Sequence, residues 1–211
     1  MTIFKYKAFN ERKDKILLSV TAIIIILYIA FSFTYFTASS ESVRGDVVRL
    51  HILANSDSEE DQEVKLLVRD ALLNENTRLL SGGVNTENAE EYFLENKEKL
   101  LETAKETLEK NNFNYDALIS LGKEYFATKR YGELIFPAGE YTSLKIVLGE
   151  GKGHNWWCVM FPPLCVPAAD DVEADDYLTH GGAKIVNGGN KYIIKFKLLE
   201  IYEELRNELL K

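Results

Sequence analysis

The pattern of hydrophobic and polar positions splits the chain at about residue 40. Ile16 to Phe36 is a run of 21 residues without a charge, dominated by Ile, Leu and Phe. That reaches the roughly 20 apolar residues needed to cross a bilayer as a helix. Beyond it, Val47, Val48, Leu50, Ile52 and Leu53 predict a first strand ending at Asn55. Ser56, Asp57 and Ser58 offer helix N-caps, and Glu59, Glu60 and Asp61 suit a first helical turn. Val64, Leu67, Val68, Ala71 and Leu72 recur at helical spacing until Gly82-Gly83 stops that helix. A second helix is expected from about Thr86 to Lys110, with Ala89, Phe93, Leu100, Ala104 and Leu108 facing inward.

The pattern then becomes extended. Ala117, Leu118, Ile119 and Leu121 read as a strand buried on both faces, continued by extended chain over Lys123–Arg130. Phe136-Pro137-Ala138-Gly139 reads as a turn. Next, Thr142, Leu144, Ile146 and Leu148 form one face of a strand, with Tyr141, Ser143, Lys145 and Val147 on the other. Trp156–Phe161 is strand-like again. Pro167–Gly189, acidic and then Gly-rich, is expected to be a mobile surface loop. Tyr192–Leu210 starts with alternation and shifts to a helical stripe of Leu198, Leu199, Tyr202, Leu205 and Leu209. This predicts a strand or irregular lead-in running into a terminal helix. The order of strand, two helices, several strands and helix implies an α+β domain, with helices packed on one face of a mainly antiparallel sheet.

Charge explains what the first segment does. Lys5, Lys7, Arg12, Lys13 and Lys15 form a basic head before the apolar run, diluted only by Glu11 and Asp14. A basic head and an apolar core mark an export signal, and the basic flank stays in the cytoplasm. Ala38 and Ser40 have the small-residue spacing that suits cleavage after Ser40, while the length of the run equally suits a retained anchor through residues 16–36. Either way, residues 41–211 are expected to be one extracytoplasmic domain behind a 1–40 signal or signal-anchor. The chain has 25 basic and 33 acidic residues; the first forty hold 5 and 2, leaving 20 and 31, a net of −11. Such a domain gains nothing from a phosphate backbone, so nucleic acid is not an expected partner.

Cys158 and Cys165 both lie in the exported part, with Pro162 and Pro163 between them to favour a turn. In an oxidising compartment a pair this close reads as a disulfide. Gly149, Gly151 and Gly153 make a loop without the strand–GxGxxG–helix context or the Lys-Ser/Thr pair of a phosphate site. Trp156 and Trp157, adjacent on an extended chain, should point to opposite faces, one into the core and the other toward solvent, a loop or a partner. Since Trp is enriched at interface hot spots, the expected partner surface comprises Gly151, Gly153, Asn155, Trp156, Trp157, Phe161, Pro162 and Pro163. The competing reading packs Trp157 beneath the acidic loop.

Arg49-Leu-His-Ile-Leu-Ala-Asn-Ser-Asp-Ser-Glu-Glu-Asp-Gln62, followed by Lys65, Val68, Arg69 and Asp70, resembles the opening of the stage II sporulation protein R family. Pro137-Ala-Gly-Glu-Tyr141 and Gly149–Cys165 resemble its other two signatures. The resemblance covers roughly residues 46–166. It implies an exported signal of endospore formation, made in the forespore and released between the forespore and mother-cell membranes. There it would trigger a membrane-embedded aspartic protease of the stage II sporulation protein GA type, leading to removal of the sigma-E pro-sequence. The resemblance implies a protease activator, not an enzyme, with no catalytic residues and no cofactor.

The alternative is an exported thiol-dependent cell-wall hydrolase. Cys158 would need His51, His154 or His180 to raise its thiolate fraction, and Asn155 or Asp175 to orient that histidine. The spacing fits no thiol-protease signature, and Cys165 is the more obvious partner. A zinc site from His154, Cys158, Cys165 and His180 lacks the short paired spacing of such sites. Asp57, Glu59, Glu60, Asp61 and Glu63 lack the glycine and terminal Glu of a calcium loop, so no metal is expected. His51, inside an apolar strand, reads as a satisfied, partly buried histidine. Arg49, Asn55, Asp57, Arg69 and Asp70 are expected to form a network that fixes the strand–helix turn, or alternatively a receptor-facing surface.

Overall fold

The computed structural model describes residues 2–80, 89–163 and 178–209. Two compact units result, Met1–Ala38 and Ser39–Lys211. The first is part of the helix α1 (Thr2–Asp46), which is long and apolar enough to cross a membrane by length and composition. Within it Ile16, Leu18, Ile26 and Phe31 are exposed.

The second unit holds β1 (Val48–Leu53), α2 (Glu59–Leu80), α3 (Ala89–Glu95), α4 (Lys97–Lys110) and β2 (Ala117–Phe126). It continues with β3 (Lys129–Tyr131), β4 (Leu134–Phe136), β5 (Gly139–Leu148) and β6 (Asn155–Phe161). α5 (His180–Asn187) and α6 (Ile193–Leu209) follow. The main sheet has the order β2-β5-β1-β6, with β3 and β4 as a separate hairpin. β2–β5 and β1–β6 are antiparallel, whereas the central pair β1–β5 is parallel. The fold is therefore α+β, on a mixed sheet with mostly antiparallel pairing.

Period-2 alternation sorts the sheet into two faces. Leu50, Ile52, Leu144, Ile146, Leu148, Cys158 and Met160 share one core with α2–α4. From α2 it takes Val64, Val68 and Leu72, spaced four apart; Leu100, Ala104 and Leu108 of α4 repeat that spacing. Ala89 and Phe93 complete the inward face expected from the sequence. α2 starts where Ser58 Oγ accepts the amide of Asp61 at 3.2 Å, a standard N-cap arrangement.

Four expectations need correction. The second long helix is two: Asn96 interrupts it, its side-chain amide donating to the Tyr92 carbonyl at 2.9 Å, while Thr86 lies outside the described residues. Asn competes for backbone hydrogen bonds in this way. β2 is an edge strand covered on one face only, and Leu118 is 64% exposed. Part of the expected Pro167–Gly189 loop is helix α5, whose N-cap Thr179 accepts from Gly182; residues 164–177 lie outside the described residues. Gly181 and Gly182 hid that helix from a propensity reading, yet a Cβ on Gly182 would sit 2.9 Å from Val43 Cγ2, so close packing favours glycine there. The lead-in to α6 is the irregular one of the two expected forms, a short 3-10 turn, but the buried stripe of the helix is Phe196, Leu199 and Glu203. Leu198, Tyr202, Leu205 and Leu209, expected inside, are at least half exposed.

Candidate functional site

The Gly149–Gly153 loop is built against the turn after β1. Gly149 and Gly151 have φ of +55° and +62°, a region glycine enters without penalty. Gly153 donates to the Ala54 carbonyl at 2.9 Å, and Lys152 to that of Asn55 at 3.1 Å. A Cβ on Gly153 would lie 2.0 Å from the Ser56 carbonyl oxygen, and one on Gly149 2.2 Å from Asn55 Oδ1. Asn55 Oδ1 accepts the Glu150 amide at 2.9 Å, and Asp57 Oδ1 accepts the His154 amide at 2.6 Å. Hydrogen bonds from the His154 side chain and backbone hold the Asp57 carboxyl below its ordinary pKa.

Asp61 anchors this junction from below. Its Oδ2 accepts from Asn55 Nδ2 at 2.9 Å and Ser56 Oγ at 2.5 Å, and its Oδ1 from Tyr115 Oη at 2.6 Å. Burial raises the pKa of this carboxyl, but the bonds from Ser56, Tyr115 and Asn55 outweigh burial and keep it below 3.8. Lys65 crosses to the loop, donating to the His154 carbonyl at 3.0 Å. The conformation of this loop is thus fixed by the β1–α2 turn.

The second feature lies on the sheet face opposite α2–α4. Arg49 and His51 of β1 alternate with the core residues Leu50 and Ile52, so both point to this face. Trp157 of β6 stacks on His51, with ring centroids 3.5 Å apart and planes at 17°. His51 is buried, and its Nδ1 donates to the Glu124 carboxylate, 3.0 Å from either oxygen. Ser143 Oγ and Lys145 Nζ also donate to Glu124, at 3.0 and 3.3 Å. Burial raises the Glu124 pKa, and the bond from His51 leads the partners that bring it below its ordinary 4.5. Arg49 lies beside this cluster among the rings of Phe126, Tyr131, Phe136 and Tyr141. Tyr141 is itself fixed by donating to the Pro137 carbonyl at 2.6 Å.

All three sequence signatures meet at this face: Arg49 and His51 from the first, Tyr141 from the second, Trp157 from the third. The Trp pair divides between faces as the alternation requires. Trp156 packs toward the helices, with the Arg69 guanidinium 4.5 Å above its ring. Phe161 and Pro162 are buried, Pro163 is half-buried and Asn155 is exposed. Trp157 is half-buried against His51 and Phe126; the acidic loop posited to cover it lies outside the described residues.

The expected network of Arg49, Asn55, Asp57, Arg69 and Asp70 does not form as one unit. Asn55 and Asp57 fix the turn, Arg69 pairs with Asp70, and Arg49 belongs to the opposite face. Sequence reasoning missed Glu124 and the aromatic ring around Arg49. The available signal was Arg49 and His51 two apart in an otherwise apolar strand, which puts two polar groups on one buried face.

Cys158 is buried in the core on the helix side, whereas His51 faces the other side of the sheet and His154 binds Asp57 at the loop. Cys165 lies outside the described residues, as does Asp175. Ser143 donates to Glu124 and not to His51, so Ser143, His51 and Glu124 do not form a nucleophile–base–acid relay. Among the described residues no group of three or more His, Cys, Asp or Glu side chains could hold a metal.

Comparison with known proteins gives a consistent result. A family model for stage II sporulation protein R matches residues 44–171. The chain is 44% identical over 118 residues to stage II sporulation protein R of Bacillus subtilis (strain 168), a stretch covering 56% of this chain. The matched stretch is 53% of that relative, about half its length. No solved structure matches.

Proposed function

Because the chain belongs to the stage II sporulation protein R family, we propose that it is an exported intercellular signal of endospore formation that activates a membrane-embedded aspartic protease. The protease is of the stage II sporulation protein GA type and removes the pro-sequence of sigma-E. The chain acts as a ligand from the space between the forespore and mother-cell membranes, and it catalyses no reaction itself. Residues 1–40 deliver it there as a signal peptide or as an anchor through residues 16–36. Cys158 and Cys165 form a disulfide that staples the end of β6.

The observation that carries this reading is the convergence of the three signatures on the sheet face opposite the helices. An enzyme of the thiol class needs a Cys–His pair, and neither His51 nor His154 faces Cys158. A signalling surface needs accessible, rigidly held side chains, and this face offers half-buried Trp157 on β6 and, across the sheet, exposed Leu118 and Ser120 of the edge strand β2. We assign the receptor contact to Trp157 and its surroundings, with Gly151, Gly153 and Asn155 shaping the adjoining loop.

Photo-crosslinking tests this assignment. A photoreactive residue at Trp157 or Leu118 should capture the receptor protease, whereas one at Glu106, on the outer side of α4, should not. Capture from position 106 alone would place the contact on the helical layer and overturn the assignment.

A further inference from the structure

Arg49 is 1% exposed and is one of the largest fully buried side chains. Its guanidinium lies 4.5 Å from the Phe126 ring, 5.1 Å from Tyr141, 5.5 Å from Tyr131 and 5.7 Å from Phe136. Nη2 donates to Tyr131 Oη at 2.9 Å. Nε and Nη1 are buried without a hydrogen-bond partner, and no described carboxylate forms an ion pair with the group. The nearby acid on this face, Glu124, is already engaged by His51, Ser143 and Lys145.

Buried charges are ordinarily paired, because removal from water is costly without an opposite charge. Four aromatic faces offset part of that cost but supply no hydrogen-bond acceptor for Nε and Nη1. Beside Arg49 lies a cavity of about 290 Å³, lined also by Tyr125, Phe126, Ala127, Lys129 and Trp157. Its wall therefore combines two cations with aromatic surface and contains no carboxylate.

We propose that this cavity is a binding site for a carboxylate carried on an apolar body. The planar guanidinium fork matches a carboxylate in two parallel hydrogen bonds. Lys129, exposed at the rim, adds a second positive charge, and Phe126 and Trp157 pack against the apolar part of the ligand. A polypeptide can supply such a group in two ways, as a C-terminal apolar residue or as an acidic side chain beside an apolar one. The site stands on Arg49 and its surroundings alone and does not depend on the receptor assignment above.

The test is titration of the full chain in detergent, read by tryptophan fluorescence, since Trp157 lines the cavity. The probes are N-acetylphenylalanine, its carboxamide, and a blocked Phe-Glu dipeptide amide. At least one carboxylate should give a saturable change, with the carboxamide about tenfold weaker or worse, the loss expected when a buried charge is left unpaired. Tighter binding of N-acetylphenylalanine identifies a chain terminus as the source, and tighter binding of the dipeptide an acidic side chain. Trp157→Phe should abolish the optical change while calorimetry still detects binding. Arg49→Lys should weaken binding about tenfold, because it keeps the charge but loses the fork. If that variant does not fold, Lys129→Ala at the rim should still lower affinity and its salt dependence. Equal binding of acid and carboxamide, or no response to either acid, would overturn the proposal.

Discussion

Replacing Asp61 by alanine should destabilise the domain far more than a surface substitution. Asp61 is 5% exposed and accepts three hydrogen bonds, from Asn55, Ser56 and Tyr115. Hydrogen bonds to a charged acceptor contribute about 1.5–3 kcal/mol each, and leaving a buried donor unpaired costs about 1–3 kcal/mol. The three share one carboxylate and are not additive, and Ser56 and Asn55 can recover water, so about 3 kcal/mol is expected for the whole substitution. For a domain of this size that corresponds to a fall in Tm of roughly 6–12 °C. The pH dependence provides a second check. The folded carboxyl titrates below its ordinary 3.8, so it contributes stability above that pH and loses it as pH falls through the folded value. The gap between wild type and Asp61→Ala should therefore be full at neutral pH and narrow below about 3.8. Thermal denaturation by circular dichroism between pH 3 and 7 measures both effects. A Tm change under about 2 °C, or a gap that stays constant with pH, would refute the claim that Asp61 anchors the β1–α2 turn.

Three further outcomes follow from other contacts. Gly153→Ala should destabilise by about 2–3 kcal/mol, a severe value for one methyl, because its Cβ would meet the Ser56 carbonyl at 2.0 Å. Gly122→Ala, with nothing within 4 Å, should be neutral in the same chemical denaturation assay. Glu124→Gln should cost about 1–3 kcal/mol at neutral pH. That difference should shrink as pH falls below 4.5, since the carboxylate contributes only where it is ionised. A Cys158–Cys165 disulfide predicts that protein unfolded without reductant resists thiol labelling, and that reduction removes about 2–3 kcal/mol of stability. Ready labelling of both cysteines before reduction would disprove the pairing.

Helix faces were the most legible part of the sequence. Ala89, Phe93, Leu100, Ala104 and Leu108 were identifiable from spacing because one local period decides which side meets the core. The Gly149–Gly153 turn was also readable, but not what it packs on. Its contact with Ala54–Asp57 joins residues almost a hundred positions apart and is set by the parallel β1–β5 pairing. Glu124 was unreadable for the same reason: its bond to His51 spans 73 positions across the sheet. In α6 the apolar residues outnumber the buried ones, so periodicity picked out Leu199 correctly but added the exposed Leu198 and Tyr202 and passed over the buried Phe196.

The central claim is activation of a receptor protease by a chain that is not an enzyme. It is tested most directly by co-expressing the full chain with the candidate protease and its sigma-factor precursor, in a cell lacking other sporulation proteins. Cleavage of the precursor should depend on this chain and persist when Cys158 and Cys165 are both replaced by serine. No cleavage, with the chain shown to be exported and folded, would contradict the activator reading and favour the wall-hydrolase alternative.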